Sequence, residues 1–172
     1  MTELEKRFVR AIAFCLRCDG HEGDVEAWAK WALRLSDAAP ADPHREVALV
    51  LGGATKIKGY VFESARLPEI RGASGLLDRI NLEDMRRLWR DGLGCEDCII
   101  YANGGEVLAF APVHKAAELA NEIERIYTRE TLVAQSVAVW EKFTLKQLRE
   151  GLNADEPLTA EQAALVKQLL GH

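Results

Sequence analysis

The residues best suited to chemistry are Asn103-Gly104-Gly105-Glu106, between two apolar runs. Asn-Gly is a strong signal for a two-residue hairpin turn, because both residues tolerate positive φ. Glycines at such a bend let a nucleotide approach the backbone closely. A carboxylate directly after them, Glu106, can hold a divalent cation near phosphates. Two-metal phosphoryl chemistry asks for more: several carboxylates within reach of ions ~3.5–4 Å apart. The neighbouring strand should supply one, yet it ends Leu51-Gly52-Gly53-Ala54 with no acid, and Val107 follows Glu106. Glu106 is therefore expected to recruit one cation weakly. The plain alternative is an ordinary turn with a solvated edge glutamate.

Cations cluster in and around the two helices predicted after the first strand. Lys56, Lys58, Arg66 and Arg71 could meet nucleotide or RNA phosphates, or form a solvated face. Ser74, in Arg71-Gly72-Ala73-Ser74, offers a hydroxyl, and the small residues there equally suit close helix packing. Two Cys-x-x-Cys pairs, Cys15/Cys18 and Cys95/Cys98, raise tetrahedral zinc. Zinc ribbons place each pair on a turn, whereas Cys15 and Cys18 fall near a helix end and Cys98 opens a buried strand. His21 and His44 have no spacing that compels a site, so buried thiols are expected and zinc is not. His114 and His172 lack a Ser or Cys partner at nucleophile spacing. Trp28, Trp31, Trp89 and Trp140 are expected in the core or at an interface.

The elements that must position these residues follow from periodicity. Thr2 with Glu5 forms a capping box for a first helix carrying Leu4, Phe8, Ile12 and Cys15. Asp24 caps a second, with Val25, Trp28, Trp31 and Leu35 on one face. Pro40 and Pro43 mark a linker. The run 47–51 reads as a strand covered on both faces. Helices are predicted from about 55 to 63, from Pro68, and from an Asn81 cap. Strands at 98–102 and 107–110 flank the hairpin turn. A long helix then carries Ala116, Leu119, Ala120, Ile123 and Ile126 as one stripe, before a strand at 133–140. A short helix spans 145–152, and Thr159 with Gln162 caps a last one. The order βααββαβ predicts an α+β, ferredoxin-like palm: a four-stranded antiparallel sheet with helices on one face, flanked by N- and C-terminal helices. The expected division is a helical segment at 1–45, a palm-like domain at 46–151 and a C-terminal helix at 152–172.

Bulk properties narrow the classes. The 172 residues are 48% hydrophobic and 28% charged, enough for a core in a soluble chain. A net charge of −5 argues against a general nucleic-acid coat protein. No apolar run approaches ~18 residues and the acidic start is unlike a signal peptide, so a cytoplasmic location without membrane contact is expected.

Taken in order, several stretches resemble a known family: residues 56–64 (K-I-K-G-Y-V-F-E-S), 67–77 (L-P-E-I-R-G-A-S-G-L-L), 99–106 and 123–128. Over about residues 47–151 the chain resembles the large polymerase/cyclase subunit of type III CRISPR effector complexes, above all its first palm domain. The resemblance implies two facing palms with ATP between them, cyclic oligoadenylate synthesis on target-RNA binding, and a role in antiviral defence. In that family the second palm carries a G-G-D-D hairpin and the chemistry, and the first is commonly degenerate. Gly104-Gly105-Glu106-Val107 departs from G-G-D-D as a first palm would. The implied site is a nucleotide pocket of Gly104, Gly105, Glu106, Lys56, Lys58, Arg71 and Ser74, with ATP and Mg²⁺ as ligands, Glu106 as the metal contact and no catalytic residue. The implied partners are a second palm or another copy of the chain, other CRISPR effector subunits and, indirectly, guide and target RNA. The chain has no His-Asp dipeptide for the family's nuclease domain, and no second palm follows Gly151. It is expected to be an N-terminal portion, a split subunit or a reduced stand-alone relative. Two alternatives stand beside the nucleotide-binding reading: a self-sufficient polymerase that dimerises to make cyclic nucleotides, and a structural assembly module.

Overall fold

The structure, a computed structural model, describes residues 1–62, 66–132 and 134–152. Its centre is β1 (Glu46–Thr55), hydrogen-bonded on one side to β3 (Glu106–Ala111) and on the other to β4 (Gln135–Thr144). With β2 (Ile99–Asn103) the antiparallel sheet runs β2-β3-β1-β4. This is the four-stranded palm arrangement that the element order predicts.

Alternation along the strands assigns the two faces. Val50, Gly52, Val107 and Ala109 point toward α6 (Ala116–Thr131), whose predicted stripe is buried throughout. A Cβ on Gly52 would lie 2.8 Å from Ile123 Cγ2, so the helix sits close on the sheet there. Beside α6 runs a helical rod. It comprises α4 (Leu67–Arg79), a π-helical turn at Ile80–Asp84, α5 (Met85–Arg87) and a second π turn at Leu88–Leu93. The leucine at the rod's start and the proline after it occupy the first turn, as expected of proline.

Asn81 does not cap a helix. It is fully buried inside the first π turn, where its amide donates to the Leu77 carbonyl at 3.0 Å and its oxygen accepts from Tyr127 Oη at 2.6 Å. The pair joins rod to α6, and burying both partners together satisfies each. The helix expected at 55–63 is the shorter α3 (Ile57–Val61). The strand expected at 133–140 runs on to Thr144, and Val133 lies outside the described residues, as does the predicted C-terminal helix. α7 (Leu145–Glu150) matches the short helix, with a capping box at Thr144 and Gln147.

The N-terminal α1 (Glu3–Cys18) and α2 (Val25–Ala32) begin where expected, at the Thr2 capping box and the Asp24 cap. They occupy the second face of the sheet. Phe8 of α1 meets Phe110 edge-on at 6.1 Å, and Phe110 pairs with Leu49 on the face opposite Val50. Arg149 ties α7 to α2 and the segment after it by donating to the Trp31 and Ser36 carbonyls at 2.6 and 3.0 Å. Trp31 and Trp89 are core residues, as expected. Trp28 lies under the Arg45 guanidinium, and Trp140 is 40% exposed.

Covering by α1 and α2 stops halfway along β1. Val47 is buried, but Leu51 on the same face is 42% exposed, with Val137 and Val139 of β4 at 48% and 56%. The expectation that β1 is covered on both faces therefore holds only for its first half. The hairpin end of that face is open and apolar.

Candidate functional site

The open half-face and the hairpin meet at one end of the sheet. Gly104 and Gly105 have φ of 63° and 88°, the two positive values that a two-residue hairpin turn requires, so the bend sits one residue beyond the predicted Asn103-Gly104 and Asn103 ends β2. The Asn103 side chain accepts from Gly104 N at 2.7 Å, and Asn103 pairs with Glu106 across the turn. The turn is also clamped from outside. Ala54 N donates to Gly105 O at 2.8 Å. A Cβ on Gly53 would fall 2.2 Å from that same oxygen, so only glycine fits where β1 passes the bend. On the other side, a Cβ on Gly105 would fall 2.5 Å from Ile57 Cδ1, placing the first residue of α3 against the turn.

That contact fixes the basic residues. Lys56 and Lys58 flank Ile57, both exposed, and Lys56 caps α3 in the left-handed region with φ 54°. The structure thus brings Gly104, Gly105, Glu106, Lys56 and Lys58 to one end of the sheet. Arg71 and Ser74 are exposed on α4, the next helix, which packs on α3.

Electrostatically the site has one acid on the sheet. Across this level the paired residues read Asn103, Glu106, Gly53 and Val137, a row containing a single carboxylate. Glu106 is exposed, and Tyr101 Oη donates to its Oε2 over a long 3.4 Å. Burial and then the Glu106 charge push the Tyr101 phenol above its ordinary pKa. The Tyr127 phenol is raised by burial and then by the same carboxylate. Glu106 therefore projects negative potential that no neighbouring acid shares within the row. This donor set fits one weakly held cation of magnesium type and not an ion pair, since hard cations take several oxygens and paired ions need bridging carboxylates.

Beside Glu106 lies a shallow groove of about 140 Å³, floored by Gly53 and walled by Leu51, Thr55, Val137 and Val139. Sequence reasoning missed these walls. The Gly52-Gly53 doublet was their only trace, since the groove depends on β1–β4 register. A larger open depression of about 840 Å³ lies over the polar side of α6, away from the hairpin. Charged groups there are matched locally, with Arg125 on Glu122 at 2.7 Å and Arg129 on Glu130 at 2.9 Å, so it reads as solvated surface.

No helix among the described residues is long and apolar enough to cross a membrane. No protein-family model and no curated protein matches the chain. Solved structures do. A chain in the crystal structure of an apo Csm1-Csm4 cassette aligns with 86% of this chain at 22% identity, with a TM-score of 0.55. Csm1 from T. onnurineus aligns with 86% at 17% identity, with a TM-score of 0.49. This chain spans 21% and 22% of those chains, about a fifth of their length. At 22% identity the first likeness establishes the fold.

Proposed function

We propose that this chain is the nucleotide-binding, non-catalytic palm of a type III CRISPR polymerase/cyclase subunit, presenting half of an ATP site that a second palm completes. The observation carrying this reading is the size and chemistry of the groove. Small-molecule sites usually enclose ~300–1,000 Å³. About 140 Å³ beside one carboxylate is too little for a nucleoside triphosphate, and the open apolar walls await a partner surface. The ordered motifs shared with the polymerase/cyclase subunit, and the fold likeness to a Csm1-containing structure, support the same assignment.

In this reading the glycine backbone at Gly53, Gly104 and Gly105 lets the nucleotide lie flat against the sheet end. Glu106 holds a single Mg²⁺ on the phosphates, and that ion would neutralise phosphate charge. Lys56 and Lys58 reach the same phosphates from the start of α3, with Arg71 and Ser74 farther out on α4. The second palm, in another chain or another copy, supplies the missing carboxylates and the chemistry. The helices of residues 1–45 face the other effector subunits, with RNA bound through those subunits.

The test is product formation. Purified chain incubated with ATP and Mg²⁺ should yield no cyclic or linear oligoadenylate by mass spectrometry, because the sheet row at the hairpin offers two-ion catalysis one carboxylate. Robust cyclic product from this chain alone would replace the half-site reading with that of a self-sufficient, dimerising polymerase.

A further inference from the structure

The two Cys-x-x-Cys pairs, 80 residues apart, end at one place. Cys15 lies in the last turns of α1, and Cys98 closes the short 3₁₀ turn Glu96–Cys98 that leads into β2. Both are fully buried, with sulfurs 3.9 Å apart. Cys95, half-buried, lies three residues before Cys98 at the start of the same turn. Cys18, exposed, lies one helical turn beyond Cys15 at the end of α1. These four are all the cysteines of the chain. Both pairs therefore straddle the one contact, Cys15–Cys98, where α1 meets the turn.

We propose that Cys15, Cys18, Cys95 and Cys98 form a tetrathiolate site for a zinc-type divalent cation, stapling α1 to the root of β2. A tetrahedron with Zn–S bonds of ~2.3 Å has sulfur–sulfur edges of about 3.8 Å, the separation already present between Cys15 and Cys98. Among the described residues no three ligand side chains yet surround one point, so the buried pair forms the preset edge. Cys95 and Cys18, nearer the surface, close on the ion by rotation about χ1. Four thiolates around a divalent ion carry net negative charge, and cations stand at the same junction. Arg7 donates to the Asp97 and Ile99 carbonyls, and Arg10 pairs with Asp97 at 2.6 Å. Those bonds hold the turn on α1 without an ion, so the metal-free chain stays folded. Each thiol releases its proton to solvent when the ion binds, so uptake weakens as pH falls. The sequence placed the pairs on a helix end and a strand start and counted zinc out. Only the fold brings those two places together.

The experiment uses the full chain purified under reducing conditions. Elemental analysis should find about one zinc per chain, removable by chelator with a fall in melting temperature. Cobalt(II) added to the metal-free chain should give the thiolate charge-transfer and intense d–d bands of a tetrahedral site. Cys18→Ser and Cys95→Ser, which spare the buried pair, should fold by circular dichroism yet bind cobalt about tenfold or more weakly with altered bands. Three results would each overturn the proposal. One is a folded wild type without stoichiometric zinc or thiolate–cobalt bands. Another is bands unchanged in both serine variants. The last is an intramolecular disulfide in the protein as isolated.

Discussion

Replacing Gly53 by alanine is expected to lower the unfolding free energy by about 3 kcal/mol or more. The added Cβ would lie 2.2 Å from Gly105 O and 2.9 Å from Glu106 Cα, both backbone atoms. A crowding side chain can rotate away, but a backbone atom inside a paired ladder cannot. Relief requires β1 and the hairpin to separate, and that breaks the Ala54–Gly105 hydrogen bond at the hairpin end of the sheet. Gly104→Ala is the matched control. It lies on the same turn with φ 63° but meets nothing within 4 Å, so its cost is the left-handed penalty of about 1–2 kcal/mol. Urea unfolding of both variants checks the order. Equal losses would show that the hairpin is not clamped against β1.

Trp89→Ala should cost a comparable amount, about 3–5 kcal/mol. The side chain is fully buried, and its indole N–H donates to the Phe110 carbonyl at 3.0 Å. Truncation leaves a large cavity between the rod and the sheet and removes the partner of a buried carbonyl. Trp89→Phe refills part of that volume without restoring the donor, so it should fall between wild type and alanine. Thermal unfolding of the three proteins gives the order. A loss below about 1 kcal/mol for alanine would mean that the rod packs on the sheet by other contacts.

These expectations rest on features of unequal visibility in the sequence. Caps at Thr2 and Asp24, a tight bend at 103–106 (set one residue later than Asn103-Gly104) and the α6 stripe are local patterns. Each could be read because the residues that define it lie within a few positions of one another. Asn81 shows where locality misleads. An asparagine before an apolar run looks like a cap, but its actual partner, Tyr127, is 46 residues away. Leu51 shows another limit. An apolar run reads alike whether its own chain covers it or leaves it bare, so the open half-face was hidden until α1 and α2 were placed. At the candidate site, Glu106 and the turn glycines were legible as a bend. Gly53 became part of the site only through its register opposite Glu106. Likewise, nothing in the spacing of Cys15 and Cys98 signals sulfurs 3.9 Å apart.

The half-site account is tested most directly by calorimetric titration of Mg-ATP into the chain and its Glu106→Ala and Lys58→Ala variants. One carboxylate and exposed lysines on an open groove predict weak binding that each substitution weakens further, by about five- to tenfold, or roughly 1–1.4 kcal/mol. Affinity that is unchanged in both variants would contradict the account.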